Sequence, residues 1–274
     1  MNNVVYKNLL YKFKLPDSSK VIKMVNKRTN TVVTSLKSPQ LLVFDASGPL
    51  VVFENRRYWP QVAAAECAWQ FTGAKDAKFI NKWAPKVWSK FMNKSGHVDS
   101  AYGYRMINTF GFNQIEMAIA MLKADDTSRQ VWVQVWEPLN DMNLNKKPNV
   151  PCVLGFKLSI HNYKLNIHVV MRSSDVVVGL PYDVMCYHMT LKAIAAAIRG
   201  VEPAVLSFTL LDAHYYEPQQ EIIDHDEWIK NPITELILPN LTPKMIAADP
   251  DFYVESFITT SNHHPYQPKV EVIV

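Results

Sequence analysis

Cysteine is scarce in this chain, with three residues, Cys67, Cys152 and Cys186, and no Cys-x-x-Cys pair. That count argues against a disulfide framework and a structural zinc site, so reduced thiols and no metal are expected. No apolar run approaches the roughly 20 residues that span a bilayer, and Met1–Lys14 mixes Asn, Lys and Tyr where a signal peptide would be apolar. A soluble, cytoplasmic protein with no membrane partner is expected. Charge of one sign is not concentrated anywhere: 29 Lys and Arg against 25 Asp and Glu give a formal +4. Basic residues are not interleaved with aromatics, which argues against a nucleic-acid groove, so no nucleic-acid partner is expected and small anions fit better. Glycine is sparse, 8 residues against 17 prolines, so many loops are expected to be conformationally fixed. With no internal repeat, and with 48% hydrophobic residues among 274, residues 1–274 are expected to form a single domain around one large core.

What is present is concentrated in one stretch, Met171-Arg-Ser-Ser-Asp-Val-Val-Val-Gly-Leu-Pro-Tyr-Asp183, and in Cys152 upstream of it. Two apolar runs lie between them, Val153–Ile160 and Tyr163–Met171, joined by His161-Asn162, and read as a hairpin. Such a hairpin returns the chain so that Arg172 lies beside Cys152. An arginine, a serine and two aspartates then face a thiol. The plainer alternative is a small buried cysteine and a surface ion pair between Arg172 and Asp175.

Upstream, residues 1–22 read as an initial helix or arm, followed by a polar turn at 26–31 and extended runs at Val32–Leu36, Leu41–Phe44 and Leu50–Glu54. The turn is basic and could hold a phosphate, or Lys27 and Arg28 are a solvated charge pair. Tyr58–Gly73 carries proline near its start and glycine at its end, the punctuation of a helix. Glu66 lies within it among apolar neighbours, where burial would raise its pKa and suit it to proton transfer. Cys67 beside it reads as core. Trp83 and Trp88 are flat apolar walls, for a ligand ring or for the core. Further helices are expected at Asn113–Lys123 and Val184–Arg199, with Cys186 and His188 packed on the latter, and strands at Val131–Trp136 and Val205–Leu211. Glu217–Pro265 reads as loop and strand; its adjacent His263 and His264 lack a third ligand at fixed spacing and are a weak zinc signal.

Together these motifs resemble thymidylate synthase and the related pyrimidine-nucleotide hydroxymethylases, from about Arg28 to the C-terminus. The match rests on Pro-Cys at 151–152, Arg-Ser-x-Asp twenty residues later, Gly-Leu-Pro-Tyr-Asp at 179–183 and Asp-x-His-x-Tyr at 212–216. The resemblance implies an α+β (α/β) fold, a large mixed sheet flanked by helices, and a homodimer formed through that sheet. It implies a pyrimidine nucleoside monophosphate and 5,10-methylenetetrahydrofolate as co-substrates, without metal. Residue by residue, it makes Cys152 the nucleophile for pyrimidine carbon 6. Glu66, with Trp69 and Gly73, matches the Glu-x-x-Trp-x-x-x-Gly of the catalytic glutamate, and Tyr102 takes the place of the tyrosine beside the reacting carbon. Arg28, Arg172 and Ser173 are assigned to the nucleotide, His214 and Tyr216 to its sugar, and Asp175, Gly179, Trp83 and Trp88 to the folate. Arg129, in Ser128-Arg129-Gln130, matches an arginine that crosses the dimer interface to the partner's phosphate.

Several positions depart from the common synthases. Gln130 replaces a second arginine, Arg105 arrives a residue or two early, Leu211 replaces a glycine, and Val153 and Met171 stand where histidine and glutamine are usual. Met-Arg-Ser followed by an acidic residue and Asp183 is similar to the deoxycytidylate hydroxymethylases. The thiol must ionise to attack carbon 6, so Arg172 is expected to lower its pKa. Asp183 has two readings. It caps a helix beginning at Val184, or it reads cytosine, sharing one proton with ring nitrogen 3 while accepting from the 4-amino group. Whether the product is hydroxymethyl or methyl stays open at this point.

Overall fold

A computed structural model of the chain describes residues 2–15, 20–142, 149–228, 236–257, 265–268, 270 and 272–273. The candidate zinc residues His263 and His264 lie outside the described residues.

The chain opens with helix α1 (Asn2–Lys14), which turns Tyr6, Leu9, Leu10 and Phe13 inward at helical spacing. Tyr6 stacks on Phe53 with ring centroids 4.1 Å apart and donates its hydroxyl to the Val176 carbonyl at 2.7 Å, so this first segment is a docked helix and not a loose arm. Strands β1 (Val21–Asn26), β2 (Thr31–Leu36) and β3 (Gln40–Asp45) follow. The stretch expected to be a strand at Leu50–Glu54 is not one. Its donors go elsewhere, Leu50 N–H to the Leu236 carbonyl and Val51 N–H to His188 Nδ1, while Leu50, Val51 and Phe53 are buried.

Helix α2 (Pro60–Thr72) ends as its sequence dictates, with Gly73 in the left-handed region at φ 65° and its N–H on the Gln70 carbonyl. Short helices α3 (Lys78–Trp83), α4 (Pro85–Trp88) and α5 (Tyr102–Tyr104) lead through a π-helical turn (Arg105–Thr109) into α6 (Gln114–Ala124), which Asn113 caps by accepting from the N–H groups of Ile115 and Glu116. After β4 (Trp132–Gln134) and α7 (Pro138–Asp141) comes the central hairpin, β5 (Val153–His161) and β6 (Lys164–Met171). Its two turn residues, Asn162 and Tyr163, both have positive φ, the twist that tight hairpins favour.

Strand β7 (Ser174–Asp175) precedes α8 (Gly179–Ala196), which starts five residues earlier than the sequence suggested. Pro181 is tolerated there because first-turn N–H groups need no helical partner. Strands β8 (Glu202–Leu210) and β9 (Ala213–Tyr216) follow. The remainder, expected as loop and strand, holds helices α9 (Gln220–Asp224), α10 (Pro243–Ala248) and α11 (Pro250–Glu255), and no strand among the described residues. Each spans fewer than two turns, too short to show a helical period.

The strands form two mixed sheets flanked by helices, in the orders β1-β2-β9-β7 and β3-β8-β6-β5-β4. The same three pieces of chain are neighbours in both: β3 follows β2, β7 follows β6 and β9 follows β8. Three adjacent strands therefore break at one level, at residues 37–39, 172–173 and 211–212. Pro39 in the first break cannot donate to a ladder. The breaks are stitched by Leu211 N–H to the Met171 carbonyl at 2.9 Å and Ser174 N–H to the Asp212 carbonyl at 2.8 Å. Arg172 and Ser173 lie in the middle break.

One face of the five-stranded sheet is packed by α8, whose Tyr187 sits edge-on to Phe156 and Phe208. The other face is open. Val43, Ser207, His168, Lys157 and Trp132 form a row across it, with Val43 and Trp132 both exposed. The buried core runs from Tyr6 to Phe257.

Candidate active site

The sheet break opens into a cavity of about 900 Å³, at the upper end of the volume typical for ligand pockets. Its lining includes every nucleotide, catalytic and folate candidate named from the sequence except Arg129.

Cys152 is placed as the hairpin requires, with its carbonyl accepting from Arg172 N–H at 2.9 Å. Its own N–H donates to Tyr102 Oη at 3.0 Å, so that phenol touches the backbone of the candidate nucleophile. Tyr102 reaches it because Gly103 packs directly on α2; a Cβ there would lie 2.1 Å from the Gln70 carbonyl oxygen.

Arg172 acts on the thiol in the expected direction, but the expected net lowering of its pKa is overturned. Burial pushes the Cys152 thiol up, and Arg172, the largest opposing influence, does not offset it. The reason is visible in the geometry. Arg172 Nε donates to the Pro151 carbonyl at 2.8 Å and Nη2 to the Val150 carbonyl at 3.0 Å, and the guanidinium lies 5.5 Å from the Trp136 ring centroid. These partners hold the cation beside the Cys152 segment, with two of its nitrogens turned toward carbonyls.

Glu66, on the cavity side of α2, accepts from Trp88 Nε1 at 2.9 Å, and burial raises its pKa to about 7. Trp88 packs edge-on to Trp69, while Trp83 donates to Asp251 at 3.2 Å. Both indoles line the cavity, as do Val62, Val87 and Val178.

Gly179 and Asp183 occupy the first turns of α8. Because that helix begins at Gly179, Asp183 lies inside it and is not its cap; Asp175 instead accepts from the N–H groups of Val177 and Val178 through Oδ1. Among the described residues Asp183 has no side-chain hydrogen bond. Burial first, then the neighbouring carboxyls of Glu66 and Asp175, push its pKa well above the usual carboxylate range.

On the sheet side, pairing of β2 with β9 sets Ser35 opposite His214 and Val33 opposite Tyr216. Ser173 Oγ lies 3.4 Å from His214 Nδ1. The β1–β2 turn brings Arg28 onto the Tyr216 phenol, whose pKa burial nevertheless raises.

Two arginines lie elsewhere. Arg129 is exposed and outside the cavity. Arg105 is buried in a bidentate pair with Asp141, both contacts at 2.9 Å, with Glu137 at 3.2 Å. Residues that sequence reasoning passed over also line the cavity, among them Arg56, Tyr182 and Asp212. Arg56 lies 4.1 Å over the Tyr58 ring and donates to the Val177 carbonyl at 2.9 Å, and the Arg56-Arg57 doublet ahead of α2 was the available signal. Among the described residues no three His, Cys, Asp or Glu side chains converge as metal ligands, and no helix is long and apolar enough to cross a membrane.

A family model described as Thymidylate synthase matches residues 18–273. The chain belongs to the thymidylate synthase family. A protein called thymidylate synthase from Francisella tularensis subsp. holarctica is 25% identical over 255 residues, covering 88% of this chain and 90% of that protein. Another of that name from Francisella philomiragia subsp. philomiragia is 27% identical over 180 residues, covering 61% and 65%. Membership implies a folate-dependent one-carbon transferase that binds a nucleotide and methylenetetrahydrofolate. The cavity fits that pair chemically. Its lining combines the indoles Trp83 and Trp88 with the thiol of Cys152, the guanidinium of Arg172 and the carboxyl of Asp183.

Proposed function

We propose that this protein, acting as a single catalytic domain over residues 1–274, hydroxymethylates carbon 5 of a cytidine monophosphate, deoxycytidylate being the expected substrate. The observation that carries the reading is Asp183, a carboxyl on the cavity wall with no side-chain partner among the described residues and a pKa held high by burial and by its acidic neighbours. Such a group holds its proton to higher pH than an ordinary carboxyl does. Facing cytosine, its O–H donates to ring nitrogen 3 and its carbonyl oxygen accepts from the 4-amino group. As Cys152 Sγ bonds to carbon 6, negative charge grows on the ring, and the Asp183 proton can pass to nitrogen 3. Uracil already carries a hydrogen there, so it gains nothing from that transfer.

The remaining roles are proposed with the same reading. Arg28 and Arg172 face the phosphate, with Ser173, His214 and Tyr216 toward the sugar. Asp175, Gly179, Trp83 and Trp88 line the folate end; methylenetetrahydrofolate supplies the one-carbon unit when bound. Glu66, with a pKa of about 7, can both give and take a proton on the carbon 5 side, where water adds to give the hydroxymethyl product. Tyr102 accepts from the Cys152 N–H, which leaves its own hydroxyl proton to be donated to the reacting ring. The active form is proposed to be a homodimer joined through the open sheet face bearing Leu41, Val43 and Trp132. There Arg129, exposed and outside its own cavity, reaches the partner's phosphate. Methyl transfer by the same route is the second reading, favoured by the names of both relatives.

Mass spectrometry of products from dCMP and dUMP with methylenetetrahydrofolate, alongside kcat/KM for wild type and Asp183→Asn, tests the proposal. An amide cannot hand over a proton, so the variant should lose about 1.5–3 kcal/mol on dCMP, roughly 10- to 150-fold in kcat/KM. A wild type that prefers dUMP, or a variant with unchanged preference, would defeat the substrate assignment.

A further inference from the structure

Gln219 was not among the candidates read from the sequence and does not line the cavity, yet it lies between two residues that do. Its side chain is 3% exposed. Oε1 accepts from the Tyr216 backbone N–H at 2.9 Å, and Nε2 donates to Asp175 Oδ2 at 2.9 Å. One buried amide therefore joins β9 to the segment that starts α8, with both of its ends in use. The other Asp175 oxygen is fixed by the N–H groups of Val177 and Val178, so Gln219 is the side chain that ties this carboxylate to the end of β9, beyond the backbone ladder that pairs Asp175 with His214. Tyr216 in turn meets Arg28 through its phenol and faces Val33 in the β2–β9 ladder.

We propose that Gln219 is a positioning residue that couples the two halves of the cavity, so that nucleotide seated against Tyr216 sets Asp175 for the folate, and folate at Asp175 tightens the nucleotide. The inference rests on the nucleotide and folate reading above. The physical argument is one of reciprocity: a rigid link between two sites changes both affinities by the same factor. Amide geometry makes the link stiff and directional. A side chain here must accept from an N–H at one end and donate to a carboxylate at the other, and among uncharged residues of this length only glutamine does both. Buried as it is, the bridge has no water to replace either bond when a partner moves.

The test measures binding of tetrahydrofolate with and without saturating dCMP, and of dCMP with and without tetrahydrofolate, by titration calorimetry on the full chain. In wild type each ligand should tighten the other by about tenfold, within the range usual for coupled sites. Gln219→Leu should bring that factor to within about twofold of unity, by more than it weakens either ligand alone. Gln219→Glu, nearly isosteric and so safer for folding, gives a sharper signature. Its carboxylate still accepts from Tyr216 N–H but repels Asp175 when ionised, and it restores the donor when protonated. Compared with wild type at each pH, which cancels the titration of Glu66 and Asp183 that both proteins share, coupling in this variant should therefore vanish at high pH and return as pH falls, a difference that a merely structural role would not produce. Equal coupling in wild type and both variants, or a wild type that binds both ligands without coupling, overturns the inference alone. A wild type that binds neither ligand overturns the functional reading and the inference with it.

Discussion

Replacing Glu66 by Gln should make the protein more stable above neutral pH while removing activity, and the size of the gain can be worked from the site. The Glu66 pKa rises from 4.5 to about 7, chiefly because burial penalises the charged form, with the Trp88 hydrogen bond opposing. An unfolded chain ionises this group near its ordinary value, whereas the folded protein keeps the proton until about neutrality. Between those limits the native state binds more protons, so stability falls as pH rises through the window and is level above it. At 1.36 kcal/mol per pKa unit the full penalty is about 3 kcal/mol. Water at the cavity mouth solvates part of the carboxylate, which makes this an upper figure. Glutamine keeps the acceptor for Trp88 Nε1 and has no charge to desolvate. All other titrating groups are shared, so they cancel in the difference between the two proteins. Urea unfolding of wild type and Glu66→Gln from pH 4 to pH 8 reads that difference directly. It should grow in favour of the variant by about 2–3 kcal/mol across the range. A difference that stays constant with pH would show that Glu66 is not desolvated in the folded state, and the argument for it as a proton carrier near neutrality would fail with it.

Cys152→Ser should abolish turnover while leaving nucleotide affinity largely intact, because a covalent nucleophile adds little ground-state binding; activity within about tenfold of wild type, roughly 1.4 kcal/mol of barrier, would remove its assignment. Because burial raises the thiol in the empty cavity, the iodoacetamide alkylation rate of Cys152 should keep rising above pH 9; a plateau near pH 7 would contradict the balance between burial and Arg172. Mixing inactive Cys152→Ala chains with inactive Arg129→Ala chains should restore activity in exchanged dimers that hold one intact site, and no recovery after demonstrated subunit exchange would refute the shared arrangement. Gly103→Ala should cost about 1–3 kcal/mol or more, since its Cβ meets the Gln70 backbone and forces α5 outward; kcat should fall with stability as Tyr102 leaves Cys152, and a variant with unchanged melting and rate would disprove the close contact.

Local pattern was enough to place the chemistry-bearing elements. Proline and glycine bound α2 where the sequence put them, and a short polar turn between two apolar runs made the hairpin that sets Arg172 beside Cys152. These features depend on neighbours a few residues apart, and a linear reading sees them. Short helices after Tyr216 and the early start of α8 were missed because brief segments carry too little periodicity, and Pro181 reads as a break although a first turn accepts it. What only tertiary structure decided is the charge state and reach of the site. Whether Cys152 is a thiol or a thiolate depends on how much water the folded walls exclude, against an arginine already holding carbonyls. The Asp183 pKa is raised by burial first and then by two other carboxyls, one from a helix more than a hundred residues upstream. Arg105 turns to Asp141, Arg129 is exposed outside the cavity, and Gln219 spans from Tyr216 to Asp175. Desolvation and long-range distance set each of these, and neither is written in the spacing of residues along a chain.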